Sequence, residues 1–315
     1  MVKWGNAVSI IKVEDVAYVR FRAPDLAEMR AFLDDFGLIV VEASERRIVS
    51  RGTGPSPVVH IAELGEPGFA GVGFRAASPE DLHRLAAAEN AAVEPFDAPG
   101  GGQRVVLKDP DGHQVEVVSG QTAAETQPIP ERARWNTALG KDRLRQTKRM
   151  AAGPAHVLRL GHVVLNVSNF RASEAWYKAR FGFITSDEIA VSPEFSLGAF
   201  MRCDRGDVPV DHHTLFLVQA PRGPGFNHAA FEVVDLDDLM LGHQRLKDAG
   251  RHPEWGVGRH ILGSQVFDYW RDPWGHTLEH WTDGDLFTAA DGPGVATLQD
   301  LLGVQWGPPA PPTMA

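Results

Sequence analysis

The chain is poor in cysteine and in long apolar runs, and it carries an excess of negative charge. Cys203 is the single cysteine among 315 residues, so no intrachain disulfide can form, and a reduced, cytoplasmic setting is predicted. No stretch approaches about 18 consecutive apolar residues, so no membrane-spanning helix is predicted. The net charge of −10 argues against nucleic acid and anionic membranes as partners.

Histidine is the residue type whose distribution points to chemistry. Ten of the 13 histidines lie after residue 155. The densest stretch, RHILGSQVFDYWRDPWGHTLEHW, runs from Arg259 to Trp281 and holds three histidines, a tyrosine and a glutamate around a tight turn. A hairpin that only fills a core would show plain alternation of apolar and polar residues. This one therefore indicates a binding or catalytic role in the second half of the chain.

The sequence also repeats itself. Each copy shows two strand–helix units followed by a closing hairpin with an Asp-Pro-x-Gly-His turn. Helix-starting residues follow the first strand of each copy, and the first helix ends at Phe-Gly, which suits a C-cap. The aligned segments are 13–40 with 157–184, 67–85 with 224–246, and 105–118 with 267–281.

The repeat predicts two modules of about 130 residues and an α+β fold. The modules span 1–122 and 155–287. The polar segment 123–154 is predicted to be a linker with a short helix. Residues 288–315 form a Pro-rich tail that is expected to be no more than a strap or a loose end.

Overlaying the two copies singles out three positions, two of which differ in chemistry. The second copy has two histidines and a glutamate where the first has tyrosine, glycine and glutamate. If the three strands line one curved sheet, two imidazoles and one carboxylate converge, which is the ligand set of non-haem Fe(II) oxygenases. The glutamate of the first copy is interpreted as a leftover or as a paired surface residue. The aligned pairs are His162 with Tyr18, His228 with Gly71, and Glu279 with Glu116.

The closing hairpin of the second copy has a predictable register. Its Asp-Pro-Trp-Gly turn suits type I geometry with Gly275 in a bulge. In that register Tyr269 faces Glu279 across the ladder and Phe267 faces Trp281. A register without the bulge would turn Tyr269 to the opposite face. The bulged hairpin delivers a phenol beside the candidate metal carboxylate.

These features resemble the type I extradiol (ring-cleaving) catechol dioxygenases of the vicinal oxygen chelate superfamily, over nearly the whole chain. The strongest motif is GRHxxGxxxxxYxxDPxGxxxE. It is met by Gly258, Arg259, His260, Gly263, Tyr269, Asp272, Pro273, Gly275 and Glu279.

The resemblance implies a fold of tandem βαβββ modules, which form two bowl-like mixed sheets with metal in the C-terminal bowl only. It implies Fe(II), with Mn(II) as the alternative, held by the two histidines and the glutamate. It also implies an acid–base role for one histidine and substrate-orienting roles for a second histidine and a tyrosine. The implied residues are His162, His228 and Glu279 for metal, and His213, His260 and Tyr269 for catalysis.

The implied reaction uses a substituted single-ring catechol, such as a trihydroxytoluene-like compound, and O2. It opens the ring beside the two hydroxyls to a muconic semialdehyde type product. His212 ranks second to His213 for the acid–base role, and Phe267 and Trp281 are candidate substrate contacts. Arg259 could pair with a substrate carboxylate or form a surface ion pair, as could Arg271. Relatives of this kind are often homo-oligomers, so one is expected here.

Two rival functions stay open at the level of sequence. A metal-dependent isomerase or lyase of the same superfamily would leave His213, His260 and Tyr269 without a role. A metal-free protein that binds an aromatic drug would have no need for the three metal ligands together.

Overall fold

The first half of the chain folds into two strand–helix units around one mixed sheet. The computed structural model describes residues 9–314. Eight strands form the first sheet, in the order β2-β3-β4-β1-β5-β8-β7-β6. The elements are β1 (Val13–Ala23), α1 (Leu26–Phe36), β2 (Ile39–Ala43), β3 (Arg47–Arg51), β4 (His60–Leu64), β5 (Gly68–Ala76), α2 (Pro79–Glu89), β6 (Val93–Pro95), β7 (Gln103–Lys108) and β8 (Gln114–Ser119).

The second half repeats this arrangement in a sheet of ten strands. Its elements are β9 (Val157–Val167), α3 (Phe170–Phe181), β10 (Ile184–Ser192), β11 (Phe195–Arg202), β12 (Val210–Asp211), β13 (Leu215–Gln219), β14 (Gly225–Val233), α4 (Leu236–Asp248), β15 (His252–His260), β16 (Val266–Arg271), β17 (Thr277–Thr282), β18 (Leu286–Phe287), β19 (Gly294–Thr297), α5 (Leu298–Leu302) and β20 (Val304–Trp306).

The α+β class and the repeated βαβββ units predicted from the sequence are confirmed. The second sheet runs β19-β10-β11-β13-β9-β14-β17-β16-β15-β20, which is the order of the first sheet with one tail strand added at each edge. The strands β5 and β14 even share one burial pattern along their nine residues. No helix in the described part of the chain is long and apolar enough to cross a bilayer.

The helix boundaries follow the expected capping chemistry. The Asp25 side chain accepts hydrogen bonds from the backbone at the start of α1, and Asn169 does the same for α3. Both helices end at a glycine with positive φ, 92° at Gly37 and 71° at Gly182. Glycine is favoured there because other residues are strained in that conformation.

The prediction of a short helix in segment 123–154 is wrong, since this segment contains no helix. A short helix in water needs an apolar face packed against the fold, and here Trp135, Leu139 and Leu144 are exposed. Ion pairs attach the segment to α4 instead, from Arg132 to Asp238 and from Lys148 to Asp237, both at 2.5 Å.

The tail is more ordered than its proline content predicts. Strand β19 pairs with β10 and strand β20 pairs with β15. Each tail strand therefore completes the backbone hydrogen bonds at one edge of the second sheet, where unpaired groups would otherwise face water. Residues 288–314 act as a strap that pairs with both edges of that sheet.

The two halves share one apolar core. The Phe21 ring lies 5.0 Å from that of Phe226, and Phe69 stacks on Phe226 at 4.8 Å. The Tyr177 hydroxyl donates to Asp109 across the same boundary. The first sheet is thus packed against the second and is not an independent appendage.

The first sheet has a buried cluster of hydrogen bonds and ion pairs at the position where the second sheet has its three candidate metal ligands. Glu116 is fully buried, which corrects the expectation of a surface residue. Its carboxylate accepts hydrogen bonds from Tyr18 (2.6 Å), Gln114 (2.8 Å) and Arg104 (2.9 Å), and Arg20 lies 2.7 Å away. Two guanidinium groups and a phenol occupy the space around this carboxylate.

Replacing Glu116 with alanine should destabilise the protein by about 3–5 kcal/mol, because it removes the buried carboxylate between Arg20 and Arg104 and leaves them only the more exposed Glu63 and Glu94. Urea unfolding followed by circular dichroism measures the change. Glu42→Ala, which removes one of the two carboxylate partners of Arg47 in a more exposed group, is the matched control and should cost less than about 1 kcal/mol. Equal losses for the two variants would contradict the buried role of Glu116.

Candidate active site

Three neighbouring strands bring the candidate metal ligands together. His162 lies on β9, His228 on β14 and Glu279 on β17, which are adjacent in the sheet. The Nε2 atoms of the two histidines lie 3.3 and 3.4 Å from Oε2 of Glu279. All three residues are buried, and their ligand atoms lie within 4.8 Å of one another.

The surroundings of Glu279 fit a bound cation. In contrast to Glu116, Glu279 pairs with no arginine among the described residues, and neither carboxylate oxygen has a hydrogen bond of good geometry, although the Tyr269 hydroxyl lies close enough to lower its pKa. Burial raises the pKa of Glu279 to about 7. For Glu116 burial has the same tendency, but Arg20 and Tyr18 overcome it and hold the pKa below its usual value. A metal ion would provide Glu279 with the positive charge that the arginines provide in the other sheet.

Both candidate histidine ligands are held in the neutral form, in which an imidazole nitrogen can bind a metal. Burial lowers the pKa of His162 to about 3 and that of His228 well below its usual value. The Asn227 amide donates to Asn166 (3.1 Å), so its oxygen is free to accept from Nδ1 of His228 at 2.8 Å. Nε2 of His228 is then left unprotonated for a metal.

The hairpin has the predicted bulged register. Tyr269 pairs with Glu279 and Phe267 with Trp281, while Gly275 has a φ of 89°. The Tyr269 hydroxyl lies 3.0 Å from Nε2 of His260. Burial lowers the pKa of His260 to about 4 and raises that of Tyr269 well above its usual value. A neutral imidazole and a neutral phenol thus stand side by side near Glu279.

His213 completes the group of polar residues at the cavity. Its ring lies 4.0 Å from the ring of His162, and burial lowers its pKa well below the usual value. His212 points away from the cavity, with Nδ1 at 3.1 Å from Nδ1 of His213 and Nε2 at 2.7 Å from Asp187.

The other weakly predicted substrate contacts also lie behind the cavity wall. Phe267 stacks on His260 at 4.1 Å, and Trp281 packs under Gly161, where a Cβ would lie 2.5 Å from its ring. The Arg259 guanidinium pairs with Asp283 at 2.7 Å. Neither these residues nor His212 lines the cavity, and Arg271 pairs with Glu254. A direct contact of any of them with the substrate stays a prediction.

The cavity wall is mainly apolar, and sequence reasoning missed much of it. Trp255 on β15 and Leu262 in the loop that follows it form one side of the wall. The tail closes another side of the cavity with Leu301 and Leu302 at the end of α5 and with Met314 in its final turn. The wall residues that sequence reasoning missed are Val164, Phe200, Phe216, Val218, Asn227, Gln265, Leu301, Leu302 and Met314.

Comparison with known proteins identifies the family. A profile of the Glyoxalase/Bleomycin resistance protein/Dioxygenase superfamily matches residues 159–280. Metapyrocatechase 2 of Cupriavidus necator is 30% identical over 312 residues, covering 95% of this chain and 90% of that protein. The chain belongs to the extradiol ring-cleaving dioxygenases of this superfamily.

Two further comparisons are with more distant proteins. An iron-dependent extradiol dioxygenase of Rhodococcus jostii is 21% identical over 307 residues, which cover 87% of this chain and 90% of that protein. A Mn(II)-bound glyoxalase from Novosphingobium aromaticivorans is 24% identical, with a TM-score of 0.77 over 96% of this chain and 94% of the other. The second likeness concerns the fold. The buried His-His-Glu set of this dioxygenase fits Fe(II) and also accepts Mn(II).

Replacing His162, His228 or Glu279 with alanine should each weaken iron binding at least ~100-fold, since even outer-shell partners contribute about 10–100-fold. Competition with a chromophoric chelator measures the affinity without reference to turnover. The exposed His83 provides the control variant His83→Ala, which should bind iron as the unaltered protein does. Undiminished binding by any of the three variants would remove that residue from the metal site.

Proposed function

We propose that the dioxygenase cleaves a substituted single-ring catechol beside its two hydroxyls, using Fe(II) and O2, to a muconic semialdehyde type product. The observation that carries the proposal is the grouping of polar side chains around one cavity. The metal set His162, His228 and Glu279 lies beside the acid–base candidate His213 and the hydrogen-bonded pair of His260 and Tyr269.

The chemistry divides between the metal and the protein. Fe(II) held by two imidazoles and one carboxylate would lower the pKa of a bound catechol hydroxyl and keep adjacent positions open for O2. The protein positions the ring, excludes water and moves protons. The partly enclosed, mostly apolar cavity suits these three tasks.

We assign proton transfer to His213. Its burial favours the neutral imidazole, so it can accept a proton from the second substrate hydroxyl. The same group can return that proton to oxygen when the O–O bond breaks, because an imidazole acts as base and then as acid.

We assign substrate orientation to Tyr269 and His260. The Tyr269 hydroxyl faces Glu279 from the neighbouring strand and can donate to the substrate oxygen nearest the metal site. His260, held at 3.0 Å from that hydroxyl and stacked on Phe267, supports the same oxygen. Fixed donors of this kind stabilise developing negative charge without reorganising.

The wall of the cavity favours an uncharged substituent on the ring. Phe200, Phe216, Leu301 and Leu302 provide apolar surface on which an alkyl group packs. A ring carboxylate would be desolvated against the same surface at a large cost in free energy. Alkyl-substituted and hydroxy-substituted catechols, including trihydroxytoluene-like compounds, fit this wall, and a homo-oligomer stays a prediction to be measured by light scattering.

The proposal predicts oxygen uptake by anaerobically iron-loaded protein when catechols are added, together with a yellow ring-opened product followed by absorbance. His162→Ala should abolish both signals because it removes a metal ligand. Protein that binds iron but consumes no oxygen with any catechol would contradict the proposal. An isomerase or lyase of the same superfamily would instead convert its substrate without oxygen uptake.

A second prediction concerns the substituent. The kcat/KM for 3-methylcatechol should exceed that for 2,3-dihydroxybenzoate at least ~10-fold, because burying an unpaired carboxylate in an apolar wall costs more than about 1.4 kcal/mol. Steady-state oxygen uptake at saturating O2 measures both values. Equal values, or a preference for the carboxylate, would show that the apolar wall does not select the ring substituent.

A further inference from the structure

The acid–base role of His213 requires one particular tautomer. A neutral imidazole carries its proton on one of two nitrogens, and only the unprotonated nitrogen can accept a proton. Nδ1 of His213 lies 3.1 Å from Nδ1 of His212, so Nε2 is the nitrogen left for the cavity. The partner of Nδ1 therefore decides whether His213 can begin the reaction as a base.

The hydrogen bonds beyond His213 determine its tautomer. The Asp187 carboxylate accepts hydrogen bonds only, so His212 must donate to it from Nε2 across 2.7 Å. A neutral His212 then has an unprotonated Nδ1, which accepts from Nδ1–H of His213. That assignment leaves Nε2 of His213 unprotonated.

The ring of His212 is held firmly in this position. Its side chain is 1% exposed, and its backbone oxygen accepts from Ser186 at 2.5 Å. A Cβ at Gly263 would lie 3.0 Å from Nδ1 of His212, so the loop after β15 packs closely against the ring. A ring with this little freedom transmits the position of the carboxylate to His213.

The tail provides the space for the carboxylate. Gly294 of β19 pairs with Asp187 of β10 in a parallel ladder. A Cβ at Gly294 would lie 2.0 Å from Oδ1 of Asp187, and Gly294 has no positive φ. Space for the carboxylate is therefore the reason for glycine at this position.

We propose that Asp187 and His212 form a hydrogen-bond relay that holds His213 in the tautomer with a free Nε2, and that Gly294 of the tail keeps the relay in place. Asp187, His212 and Gly294 are positioning residues, since they act through His213. The proposal rests on the proposed function for the role of His213, but the tautomer itself can be observed without turnover.

Gly294→Ala tests the relay while leaving each of its side chains present. It should lower kcat about 10–100-fold, as loss of an orienting partner does, with KM changed by less than about threefold. Gly292→Ala is the matched control, because a Cβ at Gly292 meets nothing within 4 Å. Gly292→Ala should match the unaltered protein in both constants.

A double-mutant cycle separates the relay from a general loss of structure. If Gly294 acts through Asp187, the variant Gly294→Ala/Asp187→Ala should have the same kcat as Asp187→Ala alone. Additive losses in kcat would show that Gly294→Ala disturbs the site by another route and would overturn the role assigned to the tail.

The tautomer is read by 15N NMR on full-length protein loaded with diamagnetic Zn(II). The unaltered protein and Gly292→Ala should show His213 protonated at Nδ1, while Asp187→Ala and Gly294→Ala should show a mixture with the other tautomer. The same spectrum for all four would overturn the relay even if catechol is cleaved. The predicted spectra without catechol cleavage would leave the relay standing and refute the proposed function instead.

Discussion

Two carboxylates lie buried at equivalent positions of the two sheets, and each requires positive charge nearby. A buried carboxylate without a partner is costly because the apolar interior does not replace its hydration. In the first sheet Arg20 and Arg104 satisfy Glu116, and Tyr18 adds a hydrogen bond. In the second sheet two neutral imidazoles surround Glu279, and a divalent cation bound there would meet the requirement. The same buried carboxylate is therefore neutralised by arginines in the first module, which is only packed, and is available to a cation in the second, which is catalytic.

The order of the strands in the second sheet brings the residues of the site together. Strands β9, β14 and β17 are neighbours, and β16 and β15 follow at the same side. Candidate metal ligands from three strands therefore face hydrogen-bonding groups from the next two, with no loop needed to bring them together. Groups held on paired strands keep their geometry better than groups on mobile loops. The bulge at Gly275 is the local feature that puts Tyr269 on the correct face.

The tail contacts several parts of the second module that are distant from one another in the sequence. It covers both edges of the catalytic sheet and lines the cavity with Leu301 and Leu302. It also packs Gly294 against Asp187. A segment rich in proline and glycine can do this because backbone pairing and close approach, more than a core of its own, hold it in place.

The sequence by itself determined the features that depend on local chemistry or on the internal repeat. The metal set could be predicted because its two histidines stand against different residues in the other copy, while the glutamate is common to both copies. The register of Tyr269 against Glu279 followed from turn chemistry and the two-residue period of a strand. Only the tertiary structure decided which of the adjacent residues His212 and His213 faces the cavity, that segment 123–154 is not helical, and that the tail forms a wall of the site. Each of these depends on contacts between segments far apart in the chain, and neither local propensity nor periodicity carries information about such contacts.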